Sequence, residues 1–188
     1  MLKIVCQNED KLLYPHVLEH VFNIQQPCRF ERIPDRGEKI ILDVCHNLQG
    51  FAAVLKQIKV KYPQVKKITL AFVISRKKKI DDVIELFDKD ERVKAIHVVS
   101  KPHFKLMDSD QGHEQIRQLG TKKLKPLIAS KDQECNSSNI QETLDHLLVE
   151  NSNLQKHDEL LLICGSFFIM TDVRRYFGMQ EAIDEHAD

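Results

Sequence analysis

From residue 39 onward, short apolar runs alternate with stretches whose apolar residues recur every third or fourth position. That alternation limits the possible folds more than any other feature of the chain. The runs are "KIILDV" (39–44), "ITLAFVI" (68–74), "AIHVVS" (95–100), "KPLIAS" (125–130) and "ELLLICGSFFI" (159–169). Nearly continuous apolar residues, many of them β-branched, mark strands buried on both faces. Between them, Phe51, Val54, Leu55, Ile58 and Tyr62 form one helical stripe, and Ile80, Val83, Ile84 and Phe87 a second. Ile140, Leu144, Leu147 and Leu148 make a third, opened by Ser138 with Gln141 three residues on, a capping-box pattern. A weaker pattern lies around "HEQIRQLG" (113–120), and "MTDVRRYFG" predicts a short helix stopped at Gly178. Strand–helix–strand repetition of this kind predicts an α/β fold with a mostly parallel, Rossmann-like sheet flanked by helices on both faces.

That domain is expected over residues 38–178. Residues 1–37 differ: a mixed helical pattern around "LLYPHVLEHVF" precedes "NIQQPCRFERIPDRGEK", rich in Pro, Arg and Glu, which reads as a linker. Residues 179–188 read as a frayed tail. The length of 188 residues suits one domain with a short appendage. With 28 basic residues balanced by 28 acidic ones, nothing points to nucleic acid or an anionic membrane as the main partner. No apolar run approaches the roughly 20 residues of a membrane span. The start, "MLKIVCQNEDKLL", is too polar for a secretory signal and too acidic for a typical transit peptide. The five cysteines are odd in number and lack any Cys-x-x-Cys pair, which predicts reduced thiols in an intracellular protein, cytoplasmic or mitochondrial. A zinc site from Cys45, His46 and two distant cysteines would have no ligand-pair spacing behind it.

In a parallel sheet, ligands bind at the carboxyl ends of the strands. The first full strand ends in "IILDVCHN", so Asp43 and His46 fall at that edge. The last strand ends near Gly165 and Ser166, just before a helix, at the same edge. Gly165 permits close backbone approach, and Ser166 offers a hydroxyl and an amide. Each feature has a plainer reading, as a helix cap or a strand-to-helix turn; their joint position argues for one shared site. A Cys45–His46 nucleophile is disfavoured because adjacent strand residues point to opposite faces, and "ICGSFF" lacks the Gly-x-Ser-x-Gly of a hydrolase elbow.

The order "QQPCRFERIP", "IILDVCHN", "LLLICGSFFIMTDVRRYFG" resembles the C-terminal domain of folylpolyglutamate synthases, members of the Mur ligase superfamily. The family pattern is a Pro-Gly-Arg-Phe-Glu linker, a Leu-Asp-x-Ala-His-Asn-Pro strand end and a late strand ending in Gly-Ser. The resemblance spans about residues 15 to 178. It implies an ATP-dependent amide ligation in one-carbon metabolism, where a central P-loop domain phosphorylates a folate carboxylate and glutamate attacks the acyl phosphate. The C-terminal domain closes over the nucleotide and helps to hold the amino acid. By position, Arg29 is the linker arginine that reaches the nucleotide. Asp43, His46 and Asn47 lie by its phosphates and ribose, Asp43 and His46 being the candidates for a catalytic part. Gly165 and Ser166 lie near the incoming glutamate. ATP and Mg²⁺ are implied only when an ATPase domain is paired with the chain.

The chain also departs from that pattern. Cys28 stands for the linker glycine, Cys45 for alanine, Leu48 for proline, and Lys77-Lys78-Lys79 for an Asp-Lys-Asp. No Gly-x-x-x-x-Gly-Lys-Ser/Thr occurs in the 188 residues, so this sequence by itself lacks the phosphate cradle and is expected to be inactive alone. Two roles follow as expectations. One is a ligase domain whose partner is a P-loop ATPase domain. The other is a non-catalytic structural subunit, a pseudoenzyme joined to other protein subunits of a larger assembly.

Overall fold

The computed structural model describes residues 26–33, 39–125, 140–150 and 158–179. Five strands form one sheet: β1 (Glu31–Arg32), β2 (Ile40–Asp43), β3 (Lys67–Val73), β4 (Val93–Val99) and β5 (Glu159–Cys164). Their order across the sheet is β1–β2–β5–β3–β4, with β1 antiparallel to β2 and every other pairing parallel. The helices are α1 (Leu48–Lys61), α2 (Asp81–Lys89), α3 (Ser109–Gln118), α4 (Ile140–Glu150) and α5 (Met170–Tyr176).

Both faces of the sheet are covered, as continuous apolar strands require. On one face, Ile41, Ile68, Leu70, Phe72 and Leu162 pack against α1 and α2, with Ile116 of α3 in the same cluster. Phe51, Phe72 and Phe87 meet edge to face, with centroids 5.2–5.6 Å apart, and lock α1 and α2 onto β3. On the other face, Ile40, Leu42, Ala71, Val73 and Ile163 pack against α4 and α5. The apolar stripes predicted for α1 and α2 are the buried ones.

The differences from expectation are local. The run 159–169 is not all strand: β5 ends at Cys164, Gly165 turns with φ +116°, and Phe167–Ile169 form a 3₁₀ turn leading into α5. The helix expected around residues 113–120 opens earlier, at Ser109, because Asp108 caps it by accepting the Gln111 N–H at 2.8 Å. Of the strand expected at 125–130, only Lys125 is among the described residues, next to an isolated bridge. Leu124 bridges Ile96 in parallel, and Lys125 N–H donates to the Ile96 carbonyl at 2.9 Å. Residues 126–130, Ser138, the helical pattern before residue 26 and the tail from 180 lie outside the described residues.

The stretch read as linker adds to the sheet through β1. Cys28, Phe30, Glu31 and Ile33 are all buried. Glu31 is held there by a side-chain ion pair with the partly buried Arg174 of α5 and by accepting the Cys28 N–H at 2.7 Å. A buried carboxylate needs such partners.

Candidate functional site at the carboxyl edge

Beyond the end of β2 lies an open cleft of about 400 Å³, lined by Arg29, Asp43, His46 and Asn47, with Phe30, Gly50 and Gln57 among the remaining walls. It sits between the turn that carries Arg29 and the first turns of α1. Four of the six residues singled out from the sequence therefore line one cavity.

Asp43 is the last residue of β2, in register with Cys164 of β5, and 6% exposed. Its Oδ2 accepts the Phe30 N–H at 2.8 Å and its Oδ1 accepts the Cys45 N–H at 2.7 Å. One carboxylate thus ties the Arg29 turn to the strand end, helped by the Val44 N–H donating to the Cys28 carbonyl at 2.9 Å. That turn is backbone-demanding. Cys28 and Phe30 both have left-handed φ values, +56° and +48°. The first is the position where the family pattern has glycine, so the conformation that favours glycine persists although the residue has changed. Phe30 then stacks on Tyr62, with centroids 6.3 Å apart and Lys61 Nζ 5.1 Å from its ring, leaving Arg29 exposed over the cleft.

His46 Nδ1 lies 3.0 Å from the Val44 carbonyl. A carbonyl only accepts, so Nδ1 carries the proton and donates, and Nε2 remains for another partner. Asn47 is the N-cap of α1: its Oδ1 accepts the Gly50 N–H at 2.8 Å, which frees its amide N–H₂ to donate. Asn47, not Asp43, does the capping. Arg29, the Asn47 amide and the positive end of α1 together present a donor-rich edge suited to an oxyanion such as phosphate, with His46 Nε2 beside them as an acceptor.

Cys45 faces inward and is buried, whereas His46 is exposed, so the two side chains part, although both lie beyond the end of β2. Hydrogen bonding with the Cys164 thiol, then burial, pushes the Cys45 thiol far above its ordinary range and keeps it a neutral core group. Among the described residues, no three or more His, Cys, Asp or Glu side chains are grouped to hold a metal ion.

Gly165 and Ser166 are not part of this cleft. A Cβ on Gly165 would stand 2.2 Å from the Val73 carbonyl oxygen, so it is the backbone of β3, not open space for a ligand, that comes close to this glycine. Ser166 is 3% exposed, and its Oγ accepts the Phe168 N–H at 3.4 Å, starting the 3₁₀ turn. Sequence reasoning passed over Gly50 and Gln57 as cleft residues. The reason for glycine at position 50 shows only in the structure, where a Cβ would stand 3.1 Å from both Asn47 Oδ1 and Cys45 Cβ.

No protein-family model matches the chain, and no curated protein matches its sequence. Solved structures do match its fold. A folylpolyglutamate synthase of Mycobacterium tuberculosis, complexed with ADP and AMPPCP, aligns at 15% identity with a TM-score of 0.65, over 84% of this chain and 34% of that one. The folylpolyglutamate synthase of Thermotoga maritima aligns at 17% identity and 0.60, over 88% and 34%. The bifunctional folylpolyglutamate/dihydrofolate synthase of Yersinia pestis with AMPPNP and Mn aligns at 16% and 0.60, over 82% and 32%. The chain has the fold of part of these proteins and spans about a third of their length. Among the described residues no helix is long and apolar enough to cross a membrane.

Proposed function

We propose that the chain works as the nucleotide-facing domain of a folylpolyglutamate synthase-like ligase, with ATP and Mg²⁺ held mainly by a P-loop ATPase domain. The observation that carries this reading is the single cleft in which Arg29 and Asn47 offer unspent donors, and His46 Nε2 an unspent acceptor, beside the positive end of α1. Arg29 would meet the phosphates as a fixed charge, the Asn47 amide would donate to phosphate or ribose oxygens, and His46 Nε2 would accept from a ribose hydroxyl. Asp43 positions Arg29 through the Phe30 amide. Because both its oxygens already accept backbone hydrogen bonds, the Mg²⁺ ligands belong with the ATPase domain. Closure of the cleft over the nucleotide would exclude water from an acyl phosphate. Ser166, buried and capping its own turn, supports no direct hold on glutamate in this arrangement.

A second reading is a non-catalytic subunit of a larger assembly. It is favoured by a specific observation: Asp43, Asn47, Gly165 and Ser166 all have structural partners that would preserve them without any ligand.

The deciding experiment purifies the chain from its own cells, identifies stoichiometric companions by mass spectrometry, and titrates the preparation with a fluorescent ATP analogue. A P-loop ATPase companion, with ATP binding that weakens roughly tenfold or more in Arg29→Ala, supports the ligase reading. A stable complex without such an ATPase and without saturable ATP binding overturns it in favour of the second.

A further inference from the structure

A second feature of the carboxyl edge is independent of both readings. Three connections meet there: the loop after β3, the loop after β4 and the 3₁₀ turn after β5. Arg76 N–H donates to the Lys105 carbonyl at 3.0 Å and Arg76 Nε to the Leu106 carbonyl at 2.7 Å, which clamps the first loop to the second. His103 is stacked between Phe104 and Phe168, at 4.9 and 4.4 Å, joining the second loop to the turn. Lys105 Nζ lies 5.4 Å from the Phe104 centroid and 5.0 Å from that of Phe168. Yet Phe104 is 76% exposed and the adjacent Phe167 67%. His103 and Lys105 flank Phe104, and the same two side chains grip Phe168, anchoring the turn from which Phe167 projects; exposed aromatics on an anchored edge mark a contact surface.

Charge narrows the occupant. Arg76, Lys77, Lys78 and Lys79 are exposed beside Lys105, while the whole chain has no net charge. Nearby acids are already engaged: Asp172 pairs with Lys101 at 2.5 Å, and Asp108 caps α3. Asp81 and Asp82 occupy the first turn of α2, where the helix dipole favours them. We propose that this patch docks an acidic segment of a protein partner, whose apolar side chain packs on Phe104 and Phe167 while its carboxylates meet Arg76 and Lys77–Lys79. A protein segment fits better than single-stranded nucleic acid, because the Phe104 ring a base would stack on is already flanked by His103 and Lys105. Aromatic anchors ringed by charge are the usual make-up of a binding hot spot.

The test places photoreactive benzoylphenylalanine at position 104, at position 167, or, as a control, at Val60, which is 72% exposed on α1. Each full-length chain is irradiated in its own cells, and the crosslinked peptides are sequenced. The expected result is crosslinking from 104 and 167, not from 60, to a segment of another protein in which acids outnumber bases. The yield should fall roughly tenfold or more when Lys77, Lys78 and Lys79 are all changed to Glu. These lysines are exposed, so the triple variant should keep the parent circular dichroism spectrum. Crosslinks to RNA, to lipid, to a second copy of this chain or to a segment without acidic excess would overturn the proposal. So would no crosslink, or one indifferent to the charge reversal in a folded variant.

Discussion

Replacing Asp43 by Asn separates a folding role from a ligand-binding one. The carboxylate is 6% exposed and accepts two backbone N–H groups, those of Phe30 and Cys45. Leaving a buried amide unpaired costs about 1–3 kcal/mol. Asp43→Ala strands both amides and should lose about 2–6 kcal/mol on that basis. Asn is nearly the same size but has one acceptor oxygen, so one amide keeps its partner while the other faces an N–H₂ donor. That variant should lose about 1–3 kcal/mol, or roughly 2–12 °C in Tm for a chain of this length. Urea unfolding followed by far-UV circular dichroism measures the loss. Hydrogen exchange should show the Phe30 and Cys45 amides losing protection ahead of the β3 and β5 amides. If Asp43→Asn unfolds within about 0.5 kcal/mol of the parent, the size expected of a featureless surface change, the assignment of Asp43 as the tie between turn and strand is refuted.

Gly165→Ala should cost more than about 4 kcal/mol and yield little soluble protein, because its Cβ would stand 2.2 Å from the Val73 oxygen at φ +116°. Gly178→Ala, at φ +70° with nothing within 4 Å of the new Cβ, should cost only about 1–2 kcal/mol by the same thermal melt. Arg174→Met leaves Glu31 charged and buried and should destabilise by about 3–5 kcal/mol, a loss that adding Glu31→Leu partly restores. Burial, and next the Glu31 carboxylate, push the Cys28 thiol from 9.0 up to about 11. The folded state therefore holds this proton more tightly than the unfolded state, so its stabilising contribution is complete below pH 9 and is lost as pH rises through 11. Denaturant midpoints measured across pH 8 to 11 should fall less steeply in Cys28→Ala than in the parent.

The apolar periodicities made α1, α2 and the edges of β2 and β3 legible, because burial on both faces leaves a continuous pattern and amphipathic helices leave a stripe. Strand order was not legible. Nothing in "ELLLIC" specifies that β5 enters between β2 and β3; that follows from pairing across the whole sheet. β1 was missed for a different reason. It is two residues long, and its inward residue is Glu31, whose burial depends on an arginine 143 positions away. The overrun of the last strand came from "FFI", apolar yet beyond a glycine whose φ ends the strand. Gly165 was marked as a place where backbone could come close to a ligand; what comes close in the structure is the β3 backbone at Val73, which the sequence does not reveal.

The same reasoning bears on why the motif residues are there. Asp43 fastens a turn, Asn47 caps a helix, Gly165 admits the neighbouring strand and Ser166 starts a 3₁₀ turn. A chain that needed only this fold would have reason to keep all four. Arg29 and His46 are different. Arg29 is exposed, with only its backbone engaged, and His46 spends one ring nitrogen on a carbonyl while the other stays available. Neither position needs its side chain for folding in the way Asp43 does. Functional selection, if it acts on this cleft, therefore acts on these two, and a pair of surface substitutions that leave stability untouched can separate a working ligase domain from a retained scaffold. Arg29→Ala and His46→Ala should each melt within about 0.5 kcal/mol of the parent. Against that unchanged stability, loss of nucleotide binding would identify a ligase edge still in use, and unchanged assembly of the native complex would leave the fold itself as what was kept.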